Sequence, residues 1–193
     1  MSPYDPRAPI AKQVRQSFES SLEHLHTSVL DAYLLHGPST RQGLARADLD
    51  AWEAMEALHA EGRARAIGVS NVTRSQLELL LDRATVKPTV VQNRCYASTG
   101  WDREVRALCR ERCVAYQAFS LLTANRKEVA SREVGAIAER MKLTSAQVVF
   151  RFAIDVGMTP LTGTADPAHM REDLGISSRL TEADLRIIES LSG

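Results

Sequence analysis

Five short apolar runs in this sequence each end in residues able to do chemistry. Val29 to Pro38, VLDAYLLHGP, breaks off in His36, Gly37 and Pro38, and reads as a buried strand that delivers one imidazole to its carboxyl end. Arg65 to Val69 delivers Ser70 and Asn71, Thr89 to Val91 delivers Gln92 and Asn93, and Val114 to Ala118 delivers Phe119 and Ser120. Met158 to Leu161 delivers Thr162, Gly163 and Thr164. An imidazole can orient a polar substrate or move a proton, and amides and hydroxyls can read polar atoms of a ligand. Each position also has a plainer reading. A histidine before Gly-Pro can be structural, Ser70-Asn71 can cap a helix, Gln92 and Asn93 can satisfy backbone groups, and Phe119 can be core. Pattern alone leaves both readings open.

The elements that must position these residues alternate between strand and helix. Met1 to Pro9 is a proline-rich loop, and Ile10 to Leu25 follows with Val14, Phe18, Ser21, Leu22 and Leu25 at helical spacing. After His36, the polar segment Gly37 to Ala47 is a loop able to lie over a site. Asp48 or Asp50 caps the next helix, with Trp52, Met55 and Leu58 as its buried stripe and Gly62 as its stop. Thr73 with Gln76 forms a capping box ahead of Leu77, Leu80 and Leu81, and Val105, Leu108 and Cys109 mark a further helix. Two helices fill the next crossover, one through Val134, Ile137 and Met141, the other opened by Thr144 with Gln147 and stopped at Gly157. Asp166 and Pro167 open another helix, and Thr181 with Asp184 opens the last, whose buried face is Leu185, Ile188 and Leu191.

A strand with polar residues at its carboxyl end and a helix after it, repeated five times, builds one face of a parallel α/β sheet or barrel. Five such units are more than half of an eightfold barrel and too few to close one, so two sheet edges are expected to stay open and the architecture to be incomplete at its amino end. No linker or shift in composition interrupts residues 1–193, which are read as a single domain.

Composition narrows the function classes. The chain is 193 residues long, 44% hydrophobic and 25% charged, with Lys plus Arg and Asp plus Glu balanced at 24 each. That balance gives no field favouring nucleic acid or an anionic membrane, so the expected partners are small molecules or proteins. No apolar stretch approaches the roughly 20 residues that span a bilayer, and the first residues lack an apolar secretory core, so the expected address is the cytoplasm. The three cysteines, Cys95, Cys109 and Cys113, are odd in number and lack metal-site spacing, which reads as reduced thiols. His24 and His26, two apart on a helix, point in different directions, and no metal site is assigned.

Taken together and in order, the strand-end residues resemble the aldo-keto reductase family of NAD(P)H-dependent carbonyl reductases, from FESSLEHL to LTEADLRIIESL. LDAYLLHGP resembles the family's fourth-strand motif, which puts a catalytic histidine on His36. AIGVSN resembles the fifth-strand motif, in which Ser70 and Asn71 would bond the nicotinamide carboxamide, and VVQNRCY the sixth, in which Gln92 would touch the same group. AFSLL resembles the seventh, where Phe119 would stack on the nicotinamide while Ser120 and Leu122 approach the pyrophosphate. TGTADPAHMRED resembles the eighth-strand loop and helix that hold the adenosine end, mapping to Gly163, Thr164, His169, Glu172 and Asp173. The resemblance thus implies a partial (β/α)8 TIM barrel corresponding to strands 4 to 8, a carbonyl substrate, and NADP or NAD as cofactor, its phosphates at the Asp166-Pro167 helix start.

The sequence departs from the family in three places. The stacking ring is Phe119 where tyrosine is usual. Gly163 and His169 stand where many members place lysine and arginine for the 2'-phosphate, which leaves the choice between NADPH and NADH open. The family's catalytic Asp, Tyr and Lys belong to its first three strands, and the resemblance implies that this chain begins after them. Tyr4, Asp5 and Lys12 lie in the proline-rich loop and the first helix and are rejected as substitutes. Three functions remain: a reductase polypeptide truncated at its amino end, a non-catalytic nucleotide-binding or regulatory module, and a half-barrel that associates with another chain or with itself through open sheet edges.

Overall fold

A computed structural model describes residues 5–191. Tyr4 and the start of the proline-rich loop lie outside the described residues. The chain is α/β, with the order α1 (Ile10–Leu25), β1 (Leu30–Leu35), α2 (Arg46–Ala60), β2 (Ala64–Ser70), α3 (Arg74–Arg83) and β3 (Val90–Arg94). A 3-10 turn at Ala97–Thr99 leads to α4 (Arg103–Glu111), β4 (Ala115–Phe119), α5 (Arg126–Val129), α6 (Arg132–Met141), α7 (Ser145–Asp155), β5 (Thr159–Pro160), α8 (Pro167–Leu174) and α9 (Glu182–Glu189). The strands are hydrogen-bonded in sequence order, β1-β2-β3-β4-β5, and the pairs β1·β2 and β4·β5 are parallel. Barrel strands follow one another in this way, whereas doubly wound sheets permute the order around a switch point. The chain divides into two compact units, Met1–Val91 and Gln92–Gly193.

In the first unit α1 spans Ile10–Leu25, as the spacing predicts, and buries Phe18 and Leu22. Each such side chain taken out of water stabilises the fold by roughly 1.5–3 kcal/mol. Phe18 meets Tyr33 of β1 edge-on with ring centroids 5.0 Å apart. Leu25 was expected on the same buried stripe but is 64% exposed, because the chain leaves the helix through a left-handed His26. Trp52, Met55 and Leu58 are core as expected, and Trp52 Nε1 donates to Val86 O at 3.2 Å. Gly68 allows β2 to lie close to its neighbours: a Cβ there would stand 2.4 Å from Val90 O and 2.5 Å from Leu34 Cδ2.

In the second unit Trp101 is fully buried, packs on Phe152 and donates from Nε1 to Ile188 O at 3.0 Å, which ties α9 to the start of α4. Arg106 reinforces the tie through Trp101 O and Glu189.

Several expectations are corrected. β1 is not a buried strand: it is an edge strand, and only Leu30 is buried while Asp31 and Ala32 are exposed. Neither Asp48 nor Asp50 caps α2; the N-cap is Ala45, and Asp48 reaches back from the first turn to its backbone N–H. The crossover after β4 holds three helices rather than two, because the four-residue α5 is too short to show a period. In α9 Ile188 is buried but Leu185 and Leu191 are half-buried.

Candidate functional site

In the first unit β1 and β2 pair with Leu35 opposite Val69, so the same register carried one residue further sets His36 beside Ser70. His36 is exposed and Ser70 is buried. Asn71 then takes a left-handed conformation, φ 53°, and its Nδ2 donates to His36 O at 2.9 Å. Non-glycine residues adopt that conformation at a cost and chiefly where the surroundings enforce it. Gly37 permits the close approach, since a Cβ there would lie 3.1 Å from Ser70 O and 3.3 Å from Asn71 Cβ. A cleft of about 280 Å³ opens beside His36, walled by Val14, Tyr33, Leu35 and Met55. Capping does not explain Ser70 and Asn71, because Thr73 is the N-cap of α3 and its hydroxyl oxygen accepts from Gln76 N–H.

The loop after His36, expected as a cover, is strapped down instead. The two carboxylate oxygens of Asp48 accept from Ser39 N–H and Ala45 N–H at 2.9 and 2.8 Å. Gln76, 2% exposed, donates from Nε2 to Thr40 O and Gly43 O at 2.9 and 3.0 Å.

In the second unit Gln92 and Asn93 lie inside β3 rather than beyond it, because the strand runs on to Arg94 and the Cys95 N–H still reaches Phe119 O at 3.2 Å. Their side chains alternate. Gln92 Nε2 donates to Gln117 Oε1 at 2.9 Å, so Gln92 and Arg94 of β3 share a face with Gln117 and Phe119 of β4. Asn93 points the other way and donates to Asp102 Oδ2 at 2.7 Å, the same oxygen that accepts from the Tyr116 hydroxyl at 2.6 Å. Burial, with the nearby Asp102 charge, pushes the Tyr116 hydroxyl well above the usual tyrosine range, so it stays protonated at neutral pH and the network anchors β3 and β4.

Past Phe119 the chain turns at Ser120, φ 58°, and a cleft of about 420 Å³ opens there. Phe119, Ser120, Leu122, Gly163 and Thr164 line it together with Thr123 and Thr162, and no charged residue does. Such a cleft offers a ring, hydroxyls and loop backbone, and can hold an amphipathic ligand without a fixed counter-charge. His169, Glu172 and Asp173 lie on α8 and do not line it. Asp173 accepts from the Thr162 hydroxyl at 2.9 Å, Glu172 O accepts from Gln147 Nε2 at 3.0 Å, and His169 stands 4.0 Å from the Asp166 carboxylate.

At the helix start expected to receive phosphate, the protein's own cap takes one N–H. Asp166 caps α8, its carboxylate accepting from Ala168 N–H at 2.7 Å, and Pro167 has no N–H to give. Asp5 precedes α1 and Lys12 lies on it, so neither stands at a strand end in the chain. Among the described residues no three His, Cys, Asp or Glu side chains form a metal-binding group, and no helix is long and apolar enough to cross a membrane.

Two residues of this unit escape a reading of the sequence. Gln117 stands two before Phe119 in a strand, a spacing that places both on one face and could have revealed it. Asn125, 2% exposed, carries no such signal, because two of its three partners, Cys95 and Ala97, are 30 and 28 residues away.

Comparison with known proteins decides the family. A model described as the aldo/keto reductase family matches residues 6–192. The chain belongs to the aldo/keto reductase family. It is 34% identical to deoxymugineic acid synthase 1 of Oryza sativa subsp. japonica, with 93% of this chain and 62% of that protein covered. It is 32% identical to glyoxal reductase of Bacillus subtilis (strain 168), with 91% and 62% covered. The crystal structure of an aldo/keto reductase from Brucella melitensis matches with a TM-score of 0.84 at 27% identity, covering 94% of this chain and 67% of that one. The chain thus spans about 62% of the length of these curated relatives and corresponds to a part of the aldo/keto reductase barrel.

Proposed function

We propose that this chain binds a nicotinamide dinucleotide, NADH or NADPH with little discrimination, as the cofactor-binding part of a carbonyl-reducing enzyme. The observation that carries the proposal is the uncharged cleft at Phe119, Ser120, Leu122, Gly163 and Thr164, where residues assigned to the cofactor by sequence resemblance line one cavity. The ring of Phe119 suits a nicotinamide face, and the hydroxyls of Ser120, Thr123 and Thr164 suit a diphosphate. Ser70 and Asn71 in the first unit and Gln92 in the second are assigned to the carboxamide. A bound nicotinamide would supply hydride to an aldehyde or ketone, and His36 would orient that carbonyl. The unpaired thiols of Cys95, Cys109 and Cys113 support a reducing compartment, the cytosol, as the place of action.

The chain as given is not expected to turn over a carbonyl substrate at a useful rate. Hydride transfer builds an alkoxide that must be protonated as it forms, and a positioned acid contributes roughly 100- to 10,000-fold. His36 is the only residue of this sequence that the family resemblance assigns to that chemistry. The test is a fluorescence titration with NADH and NADPH, followed by NAD(P)H oxidation with 4-nitrobenzaldehyde. Comparable affinities for the two cofactors, a new NADPH advantage in Gly163→Lys, and no turnover above background are the expected results. A large NADPH preference in the unmodified chain refutes the proposed lack of discrimination. Turnover abolished by His36→Ala refutes the proposed inactivity.

A further inference from the structure

We propose that Asn125 is a positioning residue that holds the Phe119–Leu122 turn in its ligand-gripping shape, an inference that rests on reading that turn as part of the dinucleotide site. Asn125 occupies the N-cap position of α5, where its side chain would ordinarily bond the helix's own N–H groups, yet it makes no such bond. Instead its Oδ1 accepts from Ala97 N–H at 2.7 Å, and its Nδ2 donates to Cys95 O at 2.9 Å and to Leu121 O at 2.8 Å. The orientation of the amide is dictated by these partners, since a backbone N–H can only donate and a carbonyl can only accept. One buried side chain therefore joins the segment after β3 to the turn after β4.

That turn needs holding. Ser120 has φ 58°, a conformation that a non-glycine residue keeps only when its surroundings over-determine it. The supports around it are the Cys95 N–H to Phe119 O bond, the Ala124 N–H to Ser120 O bond, and the pair of segments clamped by Asn125. Without the clamp the turn would relax toward ordinary backbone angles, and Ser120 and Leu122 would leave the positions from which they line the cleft. Ligand affinity falls in proportion to the fraction of molecules that keep the competent shape.

Hydrogen exchange on the unmodified chain comes first. The Ala97 amide lies outside every strand yet should exchange as slowly as the amides of β4, and exchange at the rate of an open loop would overturn the clamp. Asn125→Ser is then compared with Ile188→Ala, a cavity at a fully buried position of α9 that, among the described residues, shares no hydrogen bond with Asn125 or with residues 119–124. Both are measured with NADH and with ADP-ribose at a temperature where circular dichroism shows them folded. The expected result is about tenfold weaker binding of both ligands to Asn125→Ser and unchanged binding to Ile188→Ala, whatever the losses in melting temperature. Equal weakening in the two variants, or none in Asn125→Ser, overturns the proposal. If the unmodified chain binds neither ligand, the dinucleotide reading fails separately, and exchange decides the clamp. Acceleration in Asn125→Ser confined to residues 95–97 and 119–124 supports it, and acceleration spread through the unit overturns it.

Discussion

Two residues that directly follow a strand, Asn71 after β2 and Ser120 after β4, share a left-handed conformation, and each stands where the sequence suggested ligand contact. Left-handed residues turn the chain sharply enough to bring a strand end against its neighbour, as Asn71 does with His36 O. The same local scale decides the chemistry of the thiols. Burial pushes Cys95 and Cys109 up to about 12, so neither forms a thiolate at neutral pH, while Cys113 is exposed. One thiol should therefore react with a disulfide reagent in the native chain and all three in denaturant, and fast native labelling of Cys95 or Cys109 would contradict their packing. His36, Ser70, Phe119 and Gly163 were legible because a strand end announces itself within a few residues. Asn125 and Asp102 were not, since hydrogen bonds between separate segments leave no local pattern, whereas Gln117 had a signal in its spacing from Phe119.

At the scale of elements, legibility follows the range of the interaction. The capping boxes of Thr73 with Gln76, Thr144 with Gln147 and Thr181 with Asp184 all form as read, because each is closed within four residues. Strand lengths were misread. β3 runs further and β5 less far than their apolar runs, because pairing with a neighbour, not hydropathy, sets where a strand stops. The box at α9 also makes a pH-sensitive joint. Burial pushes the Asp184 carboxyl up, but the Thr181 hydroxyl and N–H and the Arg140 guanidinium outweigh it and leave it below the usual carboxylate range. A lowered folded-state value means stability that is present above the unfolded value, about 3.9, and lost as pH falls through the folded one. Acid should therefore loosen α9 from pH ~4 downward, and Asp184→Asn should remove that dependence while lowering stability at pH 7 by about 1–2 kcal/mol. Denaturant midpoints measured for both proteins across pH 2–7 check it, and parallel curves would refute the assignment.

At the scale of the whole chain, the strand order read from the sequence is the order found, because each crossover carries a helix and no strand is skipped. The outer strands then present open backbone. β1, LDAYLL, bonds to β2 alone in the described sheet and has neither proline nor lysine to discourage pairing, only the exposed Asp31 to Arg65 ion pair at 2.7 Å. The chain of this sequence should therefore self-associate as its concentration rises. Ala32→Lys, at an exposed position of that strand, should shift sedimentation toward the smaller species, and an unmodified chain that stays monomeric at every concentration would refute this. Finally, the two tryptophans fall one to each unit, Trp52 against Val86 O and Trp101 against Ile188 O, both shielded from water. Each is a built-in optical reporter of its own half. Emission from Trp101→Phe follows the amino-terminal half and emission from Trp52→Phe the carboxyl-terminal half. If residues 1–193 melt as one domain, the two spectra will shift red at a single common midpoint; two separate midpoints would mean halves that come apart independently.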